Sequence, residues 1–125
     1  MASYGATLLR LVLGVVYVMH AYLAVVLMGP GRMVDYQLKA GIPFPEIGTG
    51  YLILSHGLGG ICLILGIFTR WAALVNVPTM LGALLFVHLK HGFWVTDRGY
   101  EYVLVLLVAT IVSAMLGGGA LTLKR

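Results

Sequence analysis

Long apolar runs separated by short polar breaks dominate the chain, at residues 6–28, 51–68, 71–87 and 102–116. A helix needs about 20 mostly apolar residues to cross the ~30 Å hydrocarbon layer of a bilayer. Each run is near that length, and two gain a few residues at their ends. The breaks carry the expected punctuation. Met28-Gly29-Pro30-Gly31 ends the first run, Arg70-Trp71 forms a basic aromatic corner after the second, and Gly117-Gly118-Gly119 stops the fourth. Pro and Gly together end helices, and Trp anchors at the interface. The pattern predicts an all-α, integral membrane, up-down four-helix bundle forming a single domain over residues 1–125.

The stretch from Arg32 to Gly50 reads as a loop with a short interfacial helix over residues 33–40, with Val34, Tyr36 and Leu38 toward lipid headgroups. After Pro45 a helix can begin with Glu46 in its first turn, where negative charge is favoured. Residues 92–99 form a short polar and aromatic loop, and Lys124-Arg125 a basic tail.

Composition agrees with a membrane solvent. Hydrophobic residues make up 61% of the 125, charged residues only 10%, against about 25% charged in soluble domains; the mean hydropathy is +1.02. The net charge of +4 suits anionic lipid and gives no case for nucleic acid. The single cysteine, Cys62, lies in the second run and reads as a buried small hydrophobe. The first run reads as a retained span: it is long, contains Arg10, and no A-x-A site follows it. Basic residues vote weakly on orientation. Arg10, Arg70, Lys124 and Arg125 share one side, Arg32, Lys39, Lys90 and Arg98 the other. Arg70 and the tail lie closest to the membrane ends, which places both termini in the cytoplasm and the protein in the cytoplasmic membrane.

Small residues allow close helix packing where lipid supplies no hydrophobic drive. One stripe of the second run carries His56, Gly59, Gly60 and Leu63. The third offers Ala72, Asn76, Thr79 and Ala83, the fourth Tyr102, Ala109, Ser113 and Gly117.

Ionisable groups inside a membrane are costly and mark function by default. Here they are His20, His56, His88 and Glu101, with Lys90 and His91 near a span end. Up-down topology puts the first four in one half of the membrane. His20 lies ~12 Å in, and His56 ~8 Å or ~15 Å in depending on whether its helix starts at Tyr51 or Glu46. Tyr17, Tyr22, Tyr51, Trp94, Tyr100 and Tyr102 are placed to line or cover a shared pocket. Imidazole and carboxylate can ligate a metal, act as acid and base, or hydrogen-bond quinone carbonyls. Plainer roles compete: His56 as a bridge across a tight helix contact, His88, Lys90 and His91 as interfacial groups, and Glu101 as a cap of the fourth helix. The metal reading rests only on His88-x-x-His91, and a haem would need His20 with a second histidine, without a C-x-x-C-H attachment sequence.

Several stretches resemble the DoxX family. They are the run from Gly59 to Arg70, GGICLILGIFTR; the run from Val87 to Trp94, VHLKHGFW, followed by Gly99-Tyr100-Glu101-Tyr102; the ending LGGGALTL from Leu116 to Leu123; and Arg10 with His20 in the first helix. The resemblance implies a four-helix membrane protein and, loosely, redox work; relatives include a subunit of a thiosulfate:quinone oxidoreductase. Two departures stand out. His56 occupies a position where members commonly carry Glu, and the His20-Ala21-Tyr22-Leu23-Ala24 segment lacks the usual Lys. The resulting expectation is a membrane component of a quinone-linked redox system. His20 and His56 would bind or relay protons, with His88 and Glu101 orienting them, and Tyr17, Tyr22, Trp94 and Tyr102 would contact the quinone. The expected partners are the lipid bilayer and either a redox protein or a second copy of the chain. Alternatives are a non-catalytic subunit that docks an oxidoreductase, and a metal- or haem-binding protein.

Overall fold

A computed structural model describes residues 1–124; Arg125, counted above among the charges of one side, lies outside the described residues. The protein is all-α. Three helical stretches are long and apolar enough to cross a bilayer: Ala2–Leu27, Pro45–Leu65 and Thr69–His91. The fourth apolar helix, Glu101–Leu116, has 16 residues, so it spans about 24 Å and falls short of the ~20 residues a full crossing needs.

The first stretch is α1 (Ala2–Tyr22) continued by a π-helical segment, Leu23–Leu27. Gly29, at φ 87°, and Pro30 then start α2 (Pro30–Lys39), the expected interfacial helix. Leu38 and Tyr36 are exposed, while Met33 and Gln37 are buried against the protein. Pro45 starts α3 (Pro45–Leu65); the missing N–H of a proline costs nothing in a first turn.

The third run is interrupted. It forms α4 (Thr69–Leu74), a turn at Val75 and Asn76, α5 (Val77–Gly82), and a second π-helical segment at Ala83–His88. Pro78 explains the break, since it cannot donate to the Leu74 carbonyl. Hydropathy averages over such a residue, so the run read as one unbroken span. Two short 3-10 turns, Leu89–His91 and Val95–Asp97, lead into α6 (Glu101–Leu116).

The tightest interface joins α1 to α3. A Cβ on Gly60 would lie 2.8 Å from Val18 Cγ2 and 3.0 Å from the Gly14 carbonyl oxygen; one on Gly14 would lie 2.7 Å from the Gly60 oxygen. The two backbones therefore touch, as small residues permit. Gly59 faces the other way, where a Cβ would sit 3.2 Å from the Ala72 carbonyl of α4. Adjacent glycines thus seat α3 between two neighbours, and the stripe of His56, Gly59, Gly60 and Leu63 is buried throughout.

Arg10 closes one end of this packing. It is 1% exposed. Its Nε donates to the Gly118 carbonyl at 2.7 Å, and Nη1 to Leu63 and Ile64 at 2.9 and 2.8 Å; Nη2 donates to Leu121. Leu63 and Ile64 are among the last residues of α3, whose carbonyls lack helical partners and carry the negative end of the helix dipole. The cation thus caps a helix and fastens the glycine-rich segment after α6. That segment is not a free tail. The Lys124 N–H donates to the Gly66 carbonyl at 3.1 Å, and the Phe68 N–H to the Lys124 carbonyl at 2.9 Å.

Candidate functional site

The Gly14–Gly60 contact fixes what lies one turn away on each helix. Tyr17 on α1 and His56 on α3 stack with ring centroids 4.7 Å apart and an interplanar angle of 25°. His20, one turn further along α1, meets His56 edge-on at 6.2 Å and 76°. Tyr17 is fully buried. Thr110 Oγ1 on α6 donates to the Leu106 carbonyl at 2.7 Å, so its oxygen is free to accept the Tyr17 hydroxyl proton.

His56 is held from behind. Asn76 Nδ2 donates to the Ala72 carbonyl at 2.9 Å, which turns Oδ1 toward His56. The 2.6 Å contact there is a donation from His56 Nδ1–H. Asn76 reaches this position because the chain turns at residue 76, where Pro78 breaks the span. Tyr51 strengthens the same corner by donating its hydroxyl to the Val75 carbonyl at 2.6 Å.

These rings line a cavity of about 820 Å³, which also receives His88, Arg98 and Tyr102. The volume suits a small-molecule ring with part of a chain. Its walls are mostly aliphatic and aromatic. The helices are locally widened here: Leu23 of the first π-helical segment and Ala83, Val87 and His88 of the second all face it, in keeping with the association of π-bulges with functional sites.

The three histidines share one hydrogen-bonding state. His20 Nδ1 is 2.9 Å from the Val16 carbonyl and His88 Nδ1 is 2.8 Å from the Arg98 carbonyl. A carbonyl only accepts, so both Nδ1 atoms carry protons. With His56 bonded to Asn76, every neutral imidazole on the cavity keeps Nε2 as an acceptor, and none of these Nε2 atoms has a hydrogen-bond partner among the described residues. Gln37 adds another acceptor: it lines the cavity, is 5% exposed, and its Oε1 has no partner among the described residues.

Of the residues expected from sequence, His20, His56, His88, Tyr17, Tyr51 and Tyr102 lie on this cavity. Glu101 does not line it. Glu101 Oε1 accepts the Val95 N–H at 3.1 Å, and Val95 is itself a wall residue. Tyr22 and Trp94 are exposed and off the cavity. Trp94 and Tyr100 both pack edge-on against Phe93, at 5.2 and 5.5 Å. Lys90 and His91 are exposed and stand apart. Four contributors went unread: Gln37, Arg98 and Thr110, and Asn76, which figured only as a packing residue. A carboxamide inside an apolar run carries a desolvation cost, and that cost was the available signal for Asn76. Among the described residues no group of three or more His, Cys, Asp or Glu could hold a metal ion.

Apolar helices of membrane-spanning length around an internal histidine-bearing cavity define a multi-pass membrane protein in a lipid bilayer. The sequence model of the DoxX family matches residues 5–89, and the chain belongs to that family. The match takes in His20, His56 and His88, whereas Arg98, Glu101 and Tyr102 lie beyond it. Neither a curated protein nor a solved structure matches the chain.

Proposed function

We propose that this protein is a component of a quinone-linked membrane redox system and that the cavity of His20, His56 and His88 holds the quinone head group. The observation that carries the reading is the uniform state of the three imidazoles on one apolar-walled cavity. Each is fixed through Nδ1–H and leaves Nε2 to accept a hydrogen bond or a proton. The family's frequent link to quinone and redox systems supports the same assignment.

Both oxidation states find partners. The hydroxyls of a quinol donate to Nε2 of His20 and His56. The carbonyls of a quinone accept from the Tyr102 hydroxyl and the Arg98 guanidinium, neither of which has a side-chain bond among the described residues. Tyr17 holds the plane of His56 by stacking, and Asn76 keeps its Nδ1 protonated. Glu101 acts indirectly, by holding Val95 in the wall, while Trp94 and Tyr22 flank the site. When a bound quinol is oxidised, its two protons pass to the imidazoles and its two electrons to a redox partner protein, because the sequence carries no flavin, iron–sulfur or dinucleotide motif.

In this reading the chain is one up-down four-helix domain. The short α6 completes the fourth crossing by local thinning of the bilayer. Both termini face the cytoplasm, and the cavity occupies the opposite half of a cytoplasmic membrane. Photolabelling in proteoliposomes with an azidoquinone tests the assignment. Label should enter peptides around Tyr17–His20 and His56, and fall at least tenfold in His20→Ala and His56→Ala. Labelling that ignores both substitutions, together with a stably co-purifying protein, would point instead to a docking subunit.

A further inference from the structure

A second cavity, of about 680 Å³, opens at the other end of the helices, between the start of α4 and the glycine-rich segment that follows α6. It is lined by Ser3, Thr69, Arg70, Trp71, Thr122 and Lys124, with Gly117 to Gly119 as its floor. Its chemistry is that of an anion site. The four acids of the chain are Asp35, Glu46, Asp97 and Glu101, and none of them lines it.

Its donors are unspent. Arg70 Nη1 donates to the Met115 and Ala114 carbonyls at 2.8 and 3.3 Å, which holds the guanidinium in place. Arg70 Nε and Nη2 make no hydrogen bond among the described residues, and neither does the Lys124 ammonium, whose backbone is pinned to Gly66 and Phe68. Thr69 is 4% exposed, and its hydroxyl has no partner among the described residues. A buried hydroxyl without a partner costs stability, and Thr69 lines the same cavity as Arg70 and Lys124. A Cβ on Gly117 would come within 3.2 Å of Arg70 Nη2, so the glycine keeps that side of the guanidinium clear.

We infer that this cavity binds a phosphate group, held by Arg70 and Lys124 through charge-assisted hydrogen bonds and by the Thr69 hydroxyl. A free phosphate ion and an anionic phospholipid offer the same group. The exposed Phe68 and Trp71 beside it supply apolar and interfacial contacts for acyl chains, which only a lipid would use.

The test measures thermal stabilisation of the full chain in neutral detergent. Phosphatidylglycerol, phosphatidylcholine and inorganic phosphate are titrated separately. Selective stabilisation by phosphatidylglycerol, with apparent affinity falling about five-fold in Lys124→Gln and also falling in Thr69→Val, supports the lipid as source. An equal response to inorganic phosphate, with the same sensitivity to both substitutions, supports the site with the free ion as its ligand. Arg70→Gln also strips two carbonyls of their donor, so the other two variants carry the test. Equal stabilisation by both lipids without any response to phosphate, or affinities unchanged in both variants, would overturn the inference.

Discussion

Arg10 and His56 are both ionisable, both buried, and both within a turn or so of the Gly14–Gly60 contact, yet they are handled in opposite ways. Arg10 spends Nε, Nη1 and Nη2 on main-chain carbonyls. No carboxylate among the described residues is involved; the carbonyl oxygens at the end of α3 and in the segment after α6 supply the negative potential. His56 is half committed. Its Nδ1–H is held by Asn76 while Nε2 is left without a partner among the described residues, as in His20 and His88. A membrane interior makes unsatisfied polar groups expensive. Arg10 resolves that cost internally and becomes a joint. His56 leaves it standing on the wall of a cavity, and this is what a ligand would relieve.

The largest effect should come from breaking the joint. Arg10→Leu strands four carbonyls and releases the segment at residues 117–121, so unfolding stability should drop by about 3 kcal/mol or more. Unfolding in mixed micelles measures it. Arg10→Lys should recover only part, because one ammonium cannot span the carbonyls that a forked guanidinium reaches. An Arg10→Leu protein as stable as wild type would mean that water or lipid satisfies these carbonyls, and the contrast between Arg10 and His56 would vanish.

Gly60→Val acts where the two regions meet. Its side chain must displace Val18 or the Gly14 backbone, at a cost of about 2 kcal/mol. The same displacement separates Tyr17 from His56. A stability loss with quinone labelling intact would show that the cavity does not depend on the α1–α3 contact.

The legibility of the molecule follows the same division. The apolar runs announced the helices because bilayer thickness sets their length, and the His56, Gly59, Gly60, Leu63 stripe emerged because burial repeats at the helical period. His20, His56, His88, Tyr17 and Tyr102 were placed on one side by topology alone. The break at residue 76 was missed, since Pro78 lies in a run whose mean hydropathy conceals it, and with it the support of His56 by Asn76. Arg10 read as a topological charge because its partners are carbonyls, which every residue has and no sequence pattern marks. Glu101, Tyr22 and Trp94 were grouped with the site by depth; which way a side chain faces depends on helix rotation, and depth carries no information about that.

A smaller stability effect should separate site from scaffold. His20 makes one local bond, to Val16 on its own helix. His20→Ala should therefore change unfolding stability by less than about 1 kcal/mol, while quinone affinity drops at least tenfold, or ~1.4 kcal/mol. Isothermal binding in nanodiscs alongside the unfolding curve gives both numbers. Equal losses in the two would make His20 a packing residue.

The last effect has the opposite sign. Gln37 reaches the cavity from α2 with a buried Oε1 that nothing in the described protein satisfies. Leu is close to it in volume and removes the unpaired acceptor, so Gln37→Leu should raise stability by about 1 kcal/mol. The gain should come with weaker binding of the quinol than of the quinone, because only the quinol has a proton to donate to Oε1. A stabilised protein that binds both forms as before would make Gln37 an uncompensated defect of packing. A destabilised one would reveal a structural partner and remove Gln37 from the site, leaving the histidines as its sole acceptors.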